Sequence, residues 1–367
     1  MKIAFFSNSY LPYLSGITVS IKTLKDELEK LGHEIFVVGP RYPHSSSSNT
    51  LRLPSFPAPY PGYRIVWPYS YKIFKKIKEE KIDVIHAHQP FGVGLAALCL
   101  ARRMNIPFVY SFHTLFPRYV HNIPLMPKCL AKWLITKYLT WFCNQADIIF
   151  VGTEMVRRLL AAWKVKAKIV VMPTGVRVEK VVSSKQNVVG RKTLLYTGRL
   201  SKEKNIPFLL AAFPEIEKQE PNIQLFLVGG GPMEEEIRER ARKISSKIIV
   251  AGQKNRAEIL EHCRSADVFV YASRTETQGL VLTEAKACGL PIVAVFGGGI
   301  SDVVRNGIDG YLVPPNQAKF VAQVVKLLKE EPLRKEMGEK AKEDVLKRFS
   351  SPQIAQKILT IYQTLTS

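Results

Sequence analysis

No Cys-x-x-C pair occurs in this 367-residue sequence, and its five cysteines (Cys99, Cys129, Cys143, Cys263 and Cys288) are scattered. An odd count without metal-ligand spacing argues against a disulfide framework or a zinc site and fits reduced, mostly buried thiols. No run reaches the ~18 uninterrupted apolar residues that a membrane span needs. The opening "MKIAFFSNSYLP" has one lysine and an apolar stretch too short for a signal peptide, so it reads as a buried first strand. G-K-[ST] follows none of the glycine clusters, which excludes a Walker loop. D-x-D is also missing, and with it an obvious acidic cradle for a diphosphate-bound metal. Negative charge is scarce: 31 Asp/Glu stand against 53 Lys/Arg, for a net charge of +22.

The positive excess is uneven. Residues 1–180 hold 25 Lys/Arg and 10 Asp/Glu (+15), whereas residues 181–367 hold 28 and 21 (+7). A basic first half suggests an anionic partner, whether nucleic acid, membrane surface or phosphorylated ligand, and sign alone does not choose among them. Apolar content of 46% is ample for globular packing. The length suggests two domains.

Short β-branched runs alternate with helical patterns throughout. "KIAFFS", "EIFVVG", "VIHAH", "PFVYSF" and "IIFVG" read as strands in the first half, with helices such as 17–31 and 94–104 between them. A second series runs through "TLLYTG", "QLFLVG", "KIIVAG", "VFVYAS" and "PIVAVF". Apolar strands separated by helices belong to parallel sheets covered on both faces. The expected fold is α/β: two doubly wound Rossmann-like domains facing across a cleft. The domains are expected at 1–178 and 190–350, with a helix at 351–367 that can pack back on the first. The seam falls in the polar stretch 173–193, and "SSSS" at 45–48 reads as a surface loop.

Ligands of such sheets bind beyond the carboxyl ends of the strands. After "TLLYTG" comes "RLSKEKN", which places Arg199 and Lys204 at such an end. Solvation is the ordinary fate of these side chains, but this position suits a diphosphate, met by a planar fork and a point charge. Gly229–Gly231 and Gly297–Gly299 each lie between a strand and a helix, where glycine lets a ligand reach backbone amides, although tight βα turns also need glycine. Gly16 opens a helix after the first strand, and His113 ends the strand "PFVYSF", as either a structural or a catalytic residue. "FGVGLAA" matches a dinucleotide fingerprint but lacks the ribose-binding acid ~20 residues on, so its glycines read as helix–strand packing. Glu276 and Glu284 are spaced E-x7-E, the second in an Ala/Leu-rich segment, where a carboxylate needs a polar partner from the protein or from a ligand.

Taken together, Gly16, the "SFHT" histidine, "GRLSKEKN", "VGGGP", E-x7-E and "GIDGYLVPP" make the chain resemble the retaining nucleotide-sugar glycosyltransferases of family 4, which have the GT-B fold. The resemblance implies that Arg199 and Lys204 bind the donor diphosphate and stabilise the departing nucleotide, and that Glu284 takes the ribose hydroxyls. Glu276 approaches the transferred sugar and His113 lines the acceptor side. Gly16, Gly229, Gly230, Gly298 and Gly299 complete the donor site. No obligatory cofactor is implied, with Mg2+ a stimulator at most. Retention is reached by a front-face route or through a covalent glutamate intermediate, and both stay open. One departure is "GGISD", which puts Asp302 where the family commonly has glutamate.

"HTLFPRYVHNIP" and "TETQGL" look most like the members that glycosylate diacylglycerol, with UDP-glucose the implied donor. Two segments suit an anionic lipid surface. In 69–81, Phe74 sits among Lys75, Lys76 and Lys78. In 128–143, Trp133 and Lys137 belong to a Trp-, Leu- and Lys-rich helix. The expected location is therefore cytoplasmic, on the inner face of the cell membrane. Two alternatives compete: the same transfer to a soluble carbohydrate, and a non-enzymatic nucleic-acid binder. The second leaves the paired glutamates unexplained, so no nucleic-acid partner is expected. Oligomeric state is open.

Overall fold

The structure is a computed structural model describing residues 1–11, 15–42, 50–57, 64–67, 70–118, 120, 126–177 and 190–367. The "SSSS" loop and most of the polar seam lie outside those residues. The chain forms two compact units, 1–177 with 351–367, and 178–350.

The first unit runs β1 (Lys2–Phe6), α1 (Gly16–Lys30), β2 (Glu34–Pro40), β3 (Thr50–Leu53), β4 (Ser55–Pro57), β5 (Arg64–Val66), α2 (Tyr71–Glu79), β6 (Val84–Ala87), α3 (Val93–Met104), β7 (Phe108–Phe112), α4 (Lys128–Cys143), β8 (Ile148–Val151), α5 (Glu154–Ala162) and β9 (Lys168–Val171). Its seven-stranded parallel sheet has the order β3-β2-β1-β6-β7-β8-β9, and β4 and β5 form a separate antiparallel pair. Strands β6, β7 and β8 are buried at every position, as a sheet covered on both faces requires. Residues such as Phe6, Ile85 and Phe108 fill one face, while Phe5, Val84 and Val109 fill the other. Each such fully buried side chain contributes roughly 1.5–3 kcal/mol.

The second unit runs β10 (Lys192–Thr197), α6 (Ile206–Gln219), β11 (Ile223–Val228), α7 (Glu234–Ile244), β12 (Ile248–Gly252), α8 (Arg256–Ser265), β13 (Val268–Tyr271), α9 (Leu280–Ala287), β14 (Ile292–Val295), α10 (Ile300–Val303), β15 (Gly310–Val313), α11 (Gln317–Lys329) and α12 (Glu331–Arg348). The order β12-β11-β10-β13-β14-β15 reverses direction between β10 and β13. In the first sheet the reversal falls between β1 and β6. These switch points open a crevice at the strand ends.

The last helix, α13 (Ser351–Thr366), belongs to the first unit. Its Ile354, Ile358 and Tyr362, one per turn, complete the cluster around Phe5, Ile21 and Val109. Where the chain crosses, a side chain at Gly175 would come within 2.7 Å of the Ser351 backbone, so glycine is required. "FGVGLAA" is indeed packing: a β-carbon at Gly94 would lie 1.9 Å from the Gln89 carbonyl oxygen.

Candidate active site

The loops after β10 and β13 flank the switch point of the second sheet, and they bring Lys204 onto Glu276. Lys204 Nζ donates to Glu276 Oε1 at 2.6 Å. Tyr271 Oη and Ser273 Oγ donate to the same oxygen, each at 2.8 Å. Glu276 Oε2 has no donor among the described residues. Burial raises the pKa of this carboxylate, but Lys204 and the hydroxyl donors outweigh it and hold the group below its ordinary range. The result is a fixed, ionised acid with one oxygen left for a ligand. Arg199 lies half-buried in the same loop, where its carbonyl accepts from Tyr196 Oη at 3.1 Å. Tyr271 and Ser273 went unread in the sequence, although their i, i+2 spacing at a strand end puts both on one side.

Glu284 is placed differently. Its carboxylate sits on α9 and accepts no hydrogen bond among the described residues; the nearest cation is Arg256, 3.7 Å away. Burial pushes its pKa up, and Arg256 only partly opposes this. A carboxylate held in this way gains from any donor that reaches it, because an unsatisfied buried polar group costs about 1–3 kcal/mol.

In the two glycine turns, two of the backbone amides are already taken by the protein. The Gly229 N–H is taken by the Gly252 carbonyl at 2.8 Å, and the Gly299 N–H by the Glu276 carbonyl at 2.8 Å. A β-carbon at Gly229 would fall 1.9 Å from the Gly198 carbonyl oxygen, and one at Gly298, with φ of +59°, 2.5 Å from that of Glu276. These glycines let the loops after β11 and β14 stack on those carrying Arg199 and Glu276. Gly230 is less crowded, with the Glu234 carboxylate 3.3 Å from the β-carbon position. The helix after Gly299 is only four residues long, and Asp302 lies within it.

"GIDGYLVPP" also has a structural task that sequence reasoning missed. Asp309 and Asp344 accept from the fully buried Lys286 ammonium at 3.0 and 2.5 Å, and the Val303 carbonyl accepts from it at 2.7 Å. Arg305 bonds Asp309, and Arg348 bonds Asp344. This network clamps α9, which carries Glu284, to α12.

In the first unit, Gly16 begins α1 behind an Ser15 N-cap that accepts from Thr18 N. A β-carbon there would meet nothing among the described residues within 4 Å. His113 follows β7 and faces His88, with His113 Nε2 and His88 Nδ1 3.1 Å apart. Burial pushes His113 down to about 4 and His86 and His88 well below their ordinary value, so all three are neutral at neutral pH.

The two basic segments differ in what they expose. In α2 the buried stripe is Ile73 and Ile77, and Phe74 is half-buried with the Arg103 guanidinium 5.3 Å over its ring. Lys75 and Lys76 pair with Glu79 and Glu80, at 3.7 and 2.5 Å, while Lys78 is exposed. In α4 one face, including Leu139 and Phe142, is buried, while Leu130, Trp133, Leu134 and Trp141 point to solvent. Trp133 is 56% exposed, and Lys137 lies 6.0 Å from its ring centre. Periodicity could not separate these cases, because α4 is apolar on both faces. Among the described residues no helix is long and apolar enough to cross a membrane, and no cluster could hold a metal ion.

Comparison with known sequences matches residues 14–180 to the glycosyltransferase family 4 profile and residues 178–344 to that of glycosyl transferases group 1. An alpha-monoglucosyldiacylglycerol synthase of Streptococcus pneumoniae is 33% identical over 319 residues, covering 80% of this chain and 71% of that protein. The same-named protein of Acholeplasma laidlawii is 29% identical over 343 residues, 86% of each. Among solved structures, Anabaena HepE in complex with UDP and glucose superposes with a TM-score of 0.80 at 16% identity, covering 99% of this chain and 100% of that one. Sucrose-phosphate synthase of Thermosynechococcus elongatus gives 0.79 at 20% identity, covering 99% and 98%. These two establish the GT-B fold.

Proposed function

This chain belongs to the family 4 glycosyltransferases, and on that premise we propose that it transfers glucose, with retention, from UDP-glucose to 1,2-diacylglycerol at an anionic membrane surface. The observation that carries the reading is the Lys204–Glu276 pair at the switch point of the second sheet. The names of the two synthases support the sugar and the acceptor.

In this reading Glu284 accepts from the ribose hydroxyls, which gives its buried carboxylate the hydrogen bonds that it lacks within the described residues. Arg199 and Lys204 meet the diphosphate, with the Lys204 ammonium, held by Glu276 Oε1, facing the charge that builds on the departing phosphate. Fixed cations aimed at developing charge are the strongest device such a site has. Glu276 Oε2 takes hydroxyls of the transferred sugar, and His113 stands on the acceptor side. On a front-face route the leaving phosphate accepts the acceptor's proton, so no protein base is needed. The test is transfer from UDP-glucose to diacylglycerol in anionic vesicles without added metal. An α-glucoside product supports the reading. Donor hydrolysis without glycolipid would discard the lipid acceptor and favour a soluble one.

The membrane contact is assigned to the outer stripe of α4, with the chain's positive charge adding attraction. Replacing Trp133 and Leu134 together by serine removes two side chains, each worth roughly 1.5–3 kcal/mol when buried in lipid. Affinity for anionic vesicles should drop about 100-fold while donor hydrolysis persists. Reversing Lys75, Lys76 and Lys78 should have the smaller effect, because two of them are already paired. Sedimentation with vesicles measures both variants, and the opposite ranking would return the contact to α2.

A further inference from the structure

A row of buried polar side chains crosses the first sheet at its switch point. Tyr362 Oη, on α13, lies 2.6 Å from His86 Nδ1, and His86 Nε2 lies 2.8 Å from Ser111 Oγ. His86 is thus held at both nitrogens, and its ring packs against that of His88 with centroids 4.1 Å apart. His88 in turn stacks on His113 and meets its Nε2 through Nδ1. His88 is 98% buried, and its Nε2 has no protein partner. The same ring borders a cavity of about 40 Å3 lined also by Ser20, Ser111, His113 and Thr174. That is room for a water bonded to hydroxyls and imidazole.

We propose that His88 is the positioning residue for His113, holding the direction of its ring and tying the nitrogen that carries its proton to that of His88. The inference rests on the reading that His113 lines the acceptor side. Its chemistry follows from the bond itself. Two neutral imidazoles joined Nδ1 to Nε2 share one proton along that line. If His88 donates, both rings are protonated at Nδ1; if His113 donates, both are protonated at Nε2. The two tautomers are therefore locked together, and so is the choice between donor and acceptor that His113 can present. Ser111 and Tyr362 act one step further out, by keeping the His86 ring against His88. Nothing in a lone strand-end histidine reveals this, but "HAH" does: alternate residues at the end of β6 share one side.

Nitrogen-15 NMR of the histidine rings in the full chain tests the assignment. Wild-type His88 and His113 should be protonated at the same-named nitrogen, in the same proportion. In His88→Phe, which keeps the ring but not the bond, the proportion of the two His113 tautomers should change. Transfer should fall about 10- to 100-fold in kcat, the scale on which misplaced reacting groups cost rate, with KM for UDP-glucose within about twofold. His88→Asn, whose amide can stand where Nδ1 stood, should recover most of the rate. An unchanged proportion of His113 tautomers in His88→Phe would overturn the proposal, as would equal rates in the two variants. If His88→Phe does not fold, the wild-type spectrum decides, because differing tautomers in the two rings exclude the lock. Absence of any transfer by the wild-type chain would instead count against the functional reading and leave the spectrum to judge the ladder.

Discussion

Lys204→Ala should lower sugar transfer by about 100- to 1000-fold, the loss typical of removing one preorganised charge partner. The fold should survive, because Lys204 is only part-buried and its carboxylate partner keeps the Tyr271 and Ser273 hydroxyls. Two effects combine. The departing diphosphate loses a cation, and Glu276 loses the partner that most strongly offsets its burial. Burial then dominates, so the Glu276 pKa should rise and the acid limb of the rate profile should move to higher pH. Glu276→Gln should be severe alone, and the double variant little worse than either single one, because contacting residues are not additive. Single-turnover kinetics across pH measure all three. Near-normal turnover in Lys204→Ala, or losses that simply multiply, would remove the pair from the chemistry.

Lys286→Met should be the most destabilising substitution of a charged residue in the second unit, at about 3–5 kcal/mol. The ammonium is completely buried between Asp309 and Asp344, and deleting one partner of such a group leaves charge without compensation. Burial tends to raise Asp344, yet Arg348 and Lys286 hold it below its ordinary range. Arg305 and Arg348 remain after the substitution, which favours the lower end of the range. Adding Asp309→Asn and Asp344→Asn should restore part of the loss, since a neutral cluster costs less to bury. Urea unfolding followed in the intact chain gives the values, and a change under 1 kcal/mol would show that the network contributes little. Donor affinity should weaken in parallel, because α9 carries both Lys286 and Glu284.

The elements with strong periodicity were legible in the sequence: β1, β6 and β10 stand where the apolar runs lie, and α4 spans 128–143 as expected. The short β3 and β9 went unread, as did β15 inside "GIDGYLVPP", since four-residue strands with half-buried positions have little pattern to show. The candidate site was legible as residue types at strand ends. Its pairings were not, because Lys204 and Glu276 are 72 residues apart and only the reversal of strand order joins their loops. For the same reason the sequence did not reveal that Gly229 and Gly298 also stack one loop on another. Residue pattern likewise marked α2 and α4 as rich in apolar side chains and lysine without telling which apolar face the protein covers.

The return of α13 to the first unit has a consequence for the order of synthesis. Residues 178–350 are contiguous and contain every strand and helix of their own sheet, so that unit can fold while the rest of the chain is still being made. The first unit cannot finish when its own strands have emerged. The face formed by Phe5, Ile21 and Val109 stays open until Ile354, Ile358 and Tyr362 have been translated. About half the protein is thus completed before the sheet begun first is closed, and an apolar surface waits uncovered in the meantime. A nascent chain of this design gives holdase chaperones a longer opportunity at its beginning than at its middle.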